Sequence, residues 1–440
     1  MNLFAATTLG ILIGVVLCAA RRWALMAMMT GVLYLTQGQE VQVMGLNMYA
    51  LRFLELAGFA RLMVRREFQL SMLNGVDRAL LLVYGYTTLV FLLRSVDGQT
   101  YWIGRSTDAF LCYFTFRGLI ADLEDFRWFL RHFIVILAPY TALIVIEYFT
   151  GSNPFYFMAD TSYGGWLREG RIRCSGSFRH PSLLGTLGAT FFPLYLGLSM
   201  VKAERVRSLA GVGLCLIIVL ASNSGGPAGA TAVGLAGWLL WRMRSRMQIV
   251  RRSLVASIAL LAILMKAPVW FLIARVSTLT GGDGWHRAYL IDAALRHLDQ
   301  WWLLGMPITG TKEWFPYSLA ATGGADITNT FISFGFTAGL GAIALLIFLF
   351  TRAFRGLGHR LQIVRSRSQA PGETEFLLWG MGVMLAVHIF NWFGITYFDQ
   401  TYATWFMQLA AIAALGEAWV ESESRETGAV AGLPDEMATS

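Results

Sequence analysis

Charge is what this sequence has least of. Its 35 Lys and Arg and 27 Asp and Glu make up 14% of 440 residues, where a soluble domain carries about a quarter. With 56% hydrophobic and 14% aromatic residues, too few charges remain to cover a water-soluble globule of this length. The same numbers exclude disorder, and the lack of glycine periodicity or charged heptads excludes collagen and coiled coil. Cysteine is scarce: Cys18, Cys112, Cys174 and Cys215 are scattered without a CxxC, so neither a zinc site nor a disulfide framework is indicated. The histidines show no HxxxH or HExxH, and there is no GxSxG or Walker sequence. We therefore expect no metal and no cofactor, and a cytosolic ATP-driven machine is excluded. Gly281-Gly282-Asp283-Gly284 lacks the strand, helix and spacing of a dinucleotide fingerprint.

What is present is apolar length. A helix needs about 20 apolar residues to cross a bilayer. Candidate spans lie at 3–20, 23–36, 42–63, 79–94, 104–120, 129–150, 181–201, 208–222, 226–241, 253–273, 328–351, 377–398 and 401–419. These runs are continuous and do not alternate, which argues against a barrel. The expectation is an all-α, polytopic integral membrane protein of about 12–13 transmembrane helices over 1–419, with an acidic, disordered cytoplasmic tail over 420–440. Met1–Ala20 lacks a basic leading region and reads as a first span.

The net charge of +8 is explained by position, not by nucleic acid. Arginines crowd short loops at Arg65, Arg66 and Arg78, at Arg205 and Arg207 beside Lys202, from Arg242 to Arg252, and from Arg352 to Arg367. All four loops alternate to one side, which the positive-inside bias makes cytoplasmic. Two long loops, 151–180 and 274–327, then face outward. Long loops kept on one face mark a face in use.

Those outward loops should be poor in arginine and are not. The first carries Arg168, Arg171, Arg173, Arg179 and His180; the second carries Arg275, His286, Arg287, Arg296 and His297. The partner that best suits planar, bidentate guanidinium groups is phosphate. At a membrane this means lipid headgroups or a lipid-linked phosphate substrate. Trp285, Tyr289, Trp301, Trp302, Trp314, Phe315 and Tyr317 follow in the second loop. Such rings stack on sugars and equally form interfacial belts. Arg179-His180-Pro181 also reads as the cap of a helix starting at the proline. Elsewhere, His388 reads as a packing residue, Glu147 and Lys266 as snorkelling groups near span ends, and Arg52 with Glu55 as a pair one helical turn apart.

Four segments between about 140 and 351 together carry a resemblance. They are Ile146 to Pro154; Arg173-Cys-Ser-Gly-Ser-Phe-Arg179-His180-Pro181 running on to Gly185 and Pro193; Arg275, Trp285-His286-Arg287 and Leu304 to Gly310; and Asp326-Ile-Thr-Asn329 with Gly339-Leu-Gly341. In this order and spacing the chain resembles the O-antigen ligase and O-antigen (exopolysaccharide) polymerase family of bacterial membrane proteins. It departs from the ligases at Thr328-Asn329, where they have His-Asn, and at Ser224-Gly225-Gly226, where they have Ser-Arg-Gly. Both departures lean toward polymerase or an unassigned, divergent or inactive relative.

The resemblance implies a GT-C-like helical bundle in the bacterial cytoplasmic (inner) membrane, with its active site facing the periplasm. It implies a metal-independent glycosyltransferase. The donor would be a polyprenyl-diphosphate-linked glycan, with undecaprenyl as the lipid, and the acceptor a glycan or lipid A core sugar. Arg173, Arg179 and Arg287, then Arg171 and Arg275, would neutralise the diphosphate. His180, Asp326 or His286 would take the acceptor proton, and Asn329 and Trp285 would contact sugar. The rival reading is a lipid-linked oligosaccharide flippase or transporter, which should concentrate its polar chemistry at mid-membrane.

Overall fold

The computed structural model describes residues 1–43, 46–95, 98–158, 166–168, 170–275, 284–315, 323–367 and 370–415. The tail 416–440, Gly281 to Asp283 and Tyr317 lie outside the described residues. The helices are α1 (Leu3–Cys18), α2 (Arg21–Tyr34), α3 (Ala50–Arg65), α4 (Gly75–Arg94), α5 (Gln99–Leu119), α6 (Leu123–Thr150), α7 (Pro181–Leu198), α8 (Arg205–Ala221), α9 (Gly225–Leu239) and α10 (Met247–Leu264). They continue with α11 (Gly284–Arg296), α12 (Leu298–Trp301), α13 (Thr330–Arg367), α14 (Glu373–Trp392) and α15 (Thr401–Ala414). Two small antiparallel hairpins join them: β1 (Glu40–Val43) with β2 (Leu46–Tyr49), and β3 (Trp166–Arg168) with β4 (Arg171–Arg173).

Helix thus covers most of every apolar stretch, and among the described residues six helices are long and apolar enough to cross a membrane. α10 makes the strongest case for lipid as the solvent. It buries none of its residues, and Leu254, Val255, Ile258, Ile263 and Leu264 all lie exposed. Such a surface is not stable against water.

One span boundary differs from expectation. Residues 42–43 and 46–49 do not begin a helix but belong to the β1–β2 hairpin. Gln42 and Asn47 interrupt the apolar run there and pair across the hairpin, which suits a ribbon better than a lipid-facing helix.

The two ends of the bundle differ. At one end arginines pair with acids on other segments. Arg21 and Arg22 both reach Asp125, at 2.8 and 2.7 Å. Arg127 and Arg131 reach Glu373 at 2.9 and 3.1 Å, and Arg365 reaches Glu375 at 2.5 Å. At the other end lie the 151–180 and 274–327 segments.

α7 runs through the centre and is buried along nearly its whole length. Its glycines permit this. A Cβ at Gly188 would stand 2.5 Å from the Cys215 carbonyl of α8, and one at Gly185 2.5 Å from Ser222 Oγ. Small residues let helix backbones approach where lipid supplies no hydrophobic drive.

The second long segment docks on a break in α13. Ala338 and Gly339 leave helical geometry, which frees backbone groups. Met306 N donates to Phe336 O at 2.7 Å and Leu340 N to Trp302 O at 2.8 Å. Gly305 and Gly339 have φ of 76° and 74°, and a Cβ at either would stand within 2.3 Å of a facing carbonyl oxygen. This explains the glycines of the Leu304 to Gly310 and Gly339-Leu-Gly341 patterns. Trp301, Trp314 and Phe315 form the small core of this outer unit with Leu290 and Phe336. They are packing residues, whereas Trp285 and Trp302 remain exposed.

Candidate functional site

The first site segment, 173–180, is held by its backbone. Cys174 N donates to Ala221 O at 3.0 Å. Ser175 N and Gly176 N donate to the two carboxylate oxygens of Glu147, each at 2.9 Å. Glu147 is therefore a buried anchor and not a snorkelling group, because it receives two amides from the loop it faces. Gly176 has φ of 57°, and a Cβ there would stand 2.5 Å from Ile144 Cδ1. Asn153 Nδ2 donates to Gly176 O at 2.7 Å, and Gln400 Nε2 to Ser177 O at 3.0 Å. Arg179 N donates to Asp399 Oδ2 at 2.7 Å. Buried backbone polar groups need such partners, so residues 173–180 enter α7 in one defined path.

That path brings together three of the expected residues. Arg173 closes β4, His180 caps α7, and Arg287 lies in the first turn of α11. The Arg287 guanidinium lies against two glycines. A Cβ at Gly226 would be 3.6 Å from its Nη2, and one at Gly394 3.4 Å from its Cζ. Gly225 and Gly226 open α9, whose N-cap residue Ser224 makes no side-chain capping bond and instead meets Ser182 Oγ at 2.7 Å.

The cluster is electropositive. Burial, then Arg168 and Arg287, holds the Arg173 guanidinium below its ordinary range. Burial, then Arg173 and Arg287, lowers His180 to about 4. At neutral pH the imidazole is therefore uncharged. Its Nδ1 accepts from Ser182 N at 3.1 Å, which leaves the proton on Nε2. His180 thus presents a donor and is not set up as a base. The cap reading and the anion-site reading describe the same imidazole.

The other expected residues divide. His286 is buried and donates Nε2–H to the Asp326 carbonyl at 3.1 Å, so it braces the segment before α13. The Asp326 side chain is exposed. Asn329 accepts from Ile332 N at 3.1 Å and donates to Phe393 O at 3.4 Å, so its amide is used in capping α13 and tying it to the 393–400 connection. Arg171 and Arg275 are exposed. Trp285 is exposed and stacks on Tyr289 with ring centroids 4.9 Å apart.

Beyond Arg179 lies a cavity of about 820 Å³. Its walls include Tyr49, Arg52, Tyr101, Asp108, Arg179 and Asp399. Arg52 pairs bidentately with Asp108 at 2.6 and 2.7 Å, not with Glu55, whose carboxylate instead accepts from Tyr402 at 2.8 Å. Across α3 and α5 the guanidinium finds a planar carboxylate, which a neighbour on its own helix cannot offer in fork geometry. The Arg179 guanidinium donates to Gln37 O at 3.3 Å and lies 5.9 Å from the Tyr49 ring.

Asp399 is only 6% exposed, and its Oδ1 has no hydrogen-bond partner among the described residues. Burial pushes this carboxyl up to about 7. The sequence reading missed it, although it stands between the apolar runs 377–398 and 401–419 at a left-handed φ of 63°. His388 is satisfied by Tyr397 Oη and Gln408 Oε1, as a packing residue should be. Among the described residues no group of three or more His, Cys, Asp or Glu is arranged to hold a metal.

No protein-family model matches the chain, and no curated protein matches it.

Proposed function

We propose that the protein is a membrane glycosyltransferase of the O-antigen polymerase or ligase type. It moves glycan from a polyprenyl diphosphate carrier at the outer face of the bacterial cytoplasmic membrane. The observation that carries this reading is the meeting of Arg173, His180 and Arg287, from segments more than 100 positions apart, around the glycine-rich start of α9. The charges that shift Arg173 and His180 are all positive. An anion is the natural counterpart of such a cluster.

Diphosphate is already a good leaving group, and the chemistry asks the protein to neutralise charge that grows as the glycosidic C1–O bond breaks. Fixed guanidinium groups in a water-poor setting do this without reorganising. Arg173 and Arg287 serve that role, and the His180 Nε2–H donates to a phosphate oxygen. The arginine that ligases carry after Ser224 is missing here, and Arg287 brings its charge to the same helix start from another segment. The apolar helices then read as spans, with the ion-paired arginine end in the cytoplasm and the cluster outside. Apolar grooves between them would hold the polyprenyl tail.

Deleting the gene in its own host and analysing surface polysaccharide tests this. Single repeat units on lipid A core mean a polymerase, and long unattached chains mean a ligase. Unchanged polysaccharide overturns the reading.

A further inference from the structure

The cationic cluster and the cavity meet at one dipeptide. His180 belongs to the first, and Arg179, whose amide holds Asp399, belongs to the second. The 393–400 connection repeats the arrangement, with Gly394 against Arg287 and Asp399 in the cavity wall.

The two differ in chemistry. The cluster sets the guanidinium groups of Arg173 and Arg287 around an uncharged His180. In the cavity Arg52 is neutralised by Asp108, Arg179 holds Asp399 through its amide, and Arg105 shares the wall with the rings of Tyr49, Tyr101, Phe398 and Tyr402. Donors, acceptors and aromatic faces in near charge balance suit a polyhydroxylated ligand better than a diphosphate. Asp399 adds a directed feature, because a buried carboxylate oxygen without a partner costs about 1–3 kcal/mol and a ligand hydroxyl would recover it.

We propose that this cavity receives the acceptor sugar and that the Asp399 carboxylate takes the proton of its attacking hydroxyl. The acceptor oxygen bonds to the anomeric carbon while the bond from that carbon to the diphosphate oxygen breaks. The electron pair leaves on the diphosphate beside Arg173 and Arg287, and the hydroxyl proton passes to Asp399 Oδ1. Attack from one side and departure on the other inverts the anomeric centre. The proposal rests on the transferase reading above.

The test uses the full-length protein in detergent with a polyprenyl-diphosphate glycan donor and an acceptor oligosaccharide from the host. Asp399→Asn should lower turnover by about 10²–10⁴-fold and leave the donor KM unchanged. Tyr101→Ala, at an exposed part of the wall, should raise the acceptor KM and spare the donor KM. Independently of turnover, Ile103→Cys in a Cys18→Ser chain should be shielded from maleimide by the acceptor oligosaccharide and not by undecaprenyl diphosphate. Shielding without transfer by the wild-type protein would overturn the transferase reading and leave the sugar site standing. Shielding by undecaprenyl diphosphate instead, or full turnover by Asp399→Asn, would overturn the present proposal.

Discussion

Glu147 at the end of α6 accepts the amide of Gly176 at 2.9 Å, from a loop 29 positions further along the chain. With the Ser175 amide on its other oxygen, this carboxylate sets the path that delivers Arg173 to the cluster and Arg179 to the cavity. Each hydrogen bond to a charged group contributes about 1.5–3 kcal/mol. Glu147→Ala should therefore cost roughly 3 kcal/mol or more and abolish glycan transfer, as read by thermal unfolding in detergent and by polysaccharide length. Wild-type stability in that variant would show that the loop is held elsewhere.

Removing a fixed charge from the cluster should be costly in rate and not in folding. Arg173→Ala and Arg287→Ala should each reduce transfer by about 10²–10³-fold while the protein remains in the membrane. Arg287→Lys should recover little, since an ammonium does not reproduce the planar fork. Arg171→Ala and Arg275→Ala, at exposed positions, should extend glycan normally. Normal chain length in Arg287→Ala would end the assignment.

The pH dependence has two opposite parts. His180 has its pKa lowered from 6.5 to about 4, so between these values the unfolded chain binds the proton and the native one does not. Stability is then lost as pH falls from about 6.5 toward 4. His180→Asn, which keeps a capping group, should flatten that loss in a melting series. Asp399 is raised from 3.8 to about 7, so its carboxylate form grows in with rising pH. The transfer rate should climb up to about pH 7 and level off above it, and that limb should vanish in Asp399→Asn.

The glycines at the α13 break test the docking of the outer unit. Gly339→Ala would place a Cβ 2.2 Å from Leu303 O at a φ of 74°. Left-handed strain of this kind costs about 1–3 kcal/mol before the clash is counted. Limited proteolysis should cut the 284–315 segment faster in this variant. Gly358→Ala, with open space around it, should match wild type.

Orientation can be read with one native thiol. Cys18 is exposed at the arginine end of the bundle, and the other three cysteines are buried. An impermeant maleimide should miss Cys18 in spheroplasts and label it in inverted vesicles. Trp285→Cys in a Cys18→Ser chain should behave in the reverse way.

Much of this protein is determined by composition along the chain. Apolar length locates most of the long helices, because a span must satisfy its own backbone and needs no distant partner, although it misses the β1–β2 hairpin and α11. The arginines on the unexpected face, Arg173 and Arg287 among them, stand out for the same reason, since positive-inside bias is a property of loops taken singly. What the sequence could not decide depends on meeting across distance. Whether Arg52 pairs with Glu55 or Asp108 is settled by how α3 packs on α5. Whether Glu147 snorkels or anchors depends on a loop that folds back over it, and His180 as donor or base depends on which ring nitrogen the Ser182 amide occupies. Asp399 is one acid in a short connection until the Arg179 amide takes one oxygen and burial isolates the other. Only tertiary structure assigns these roles, because hydrogen bonding and desolvation are set by neighbours in space and not by neighbours in sequence.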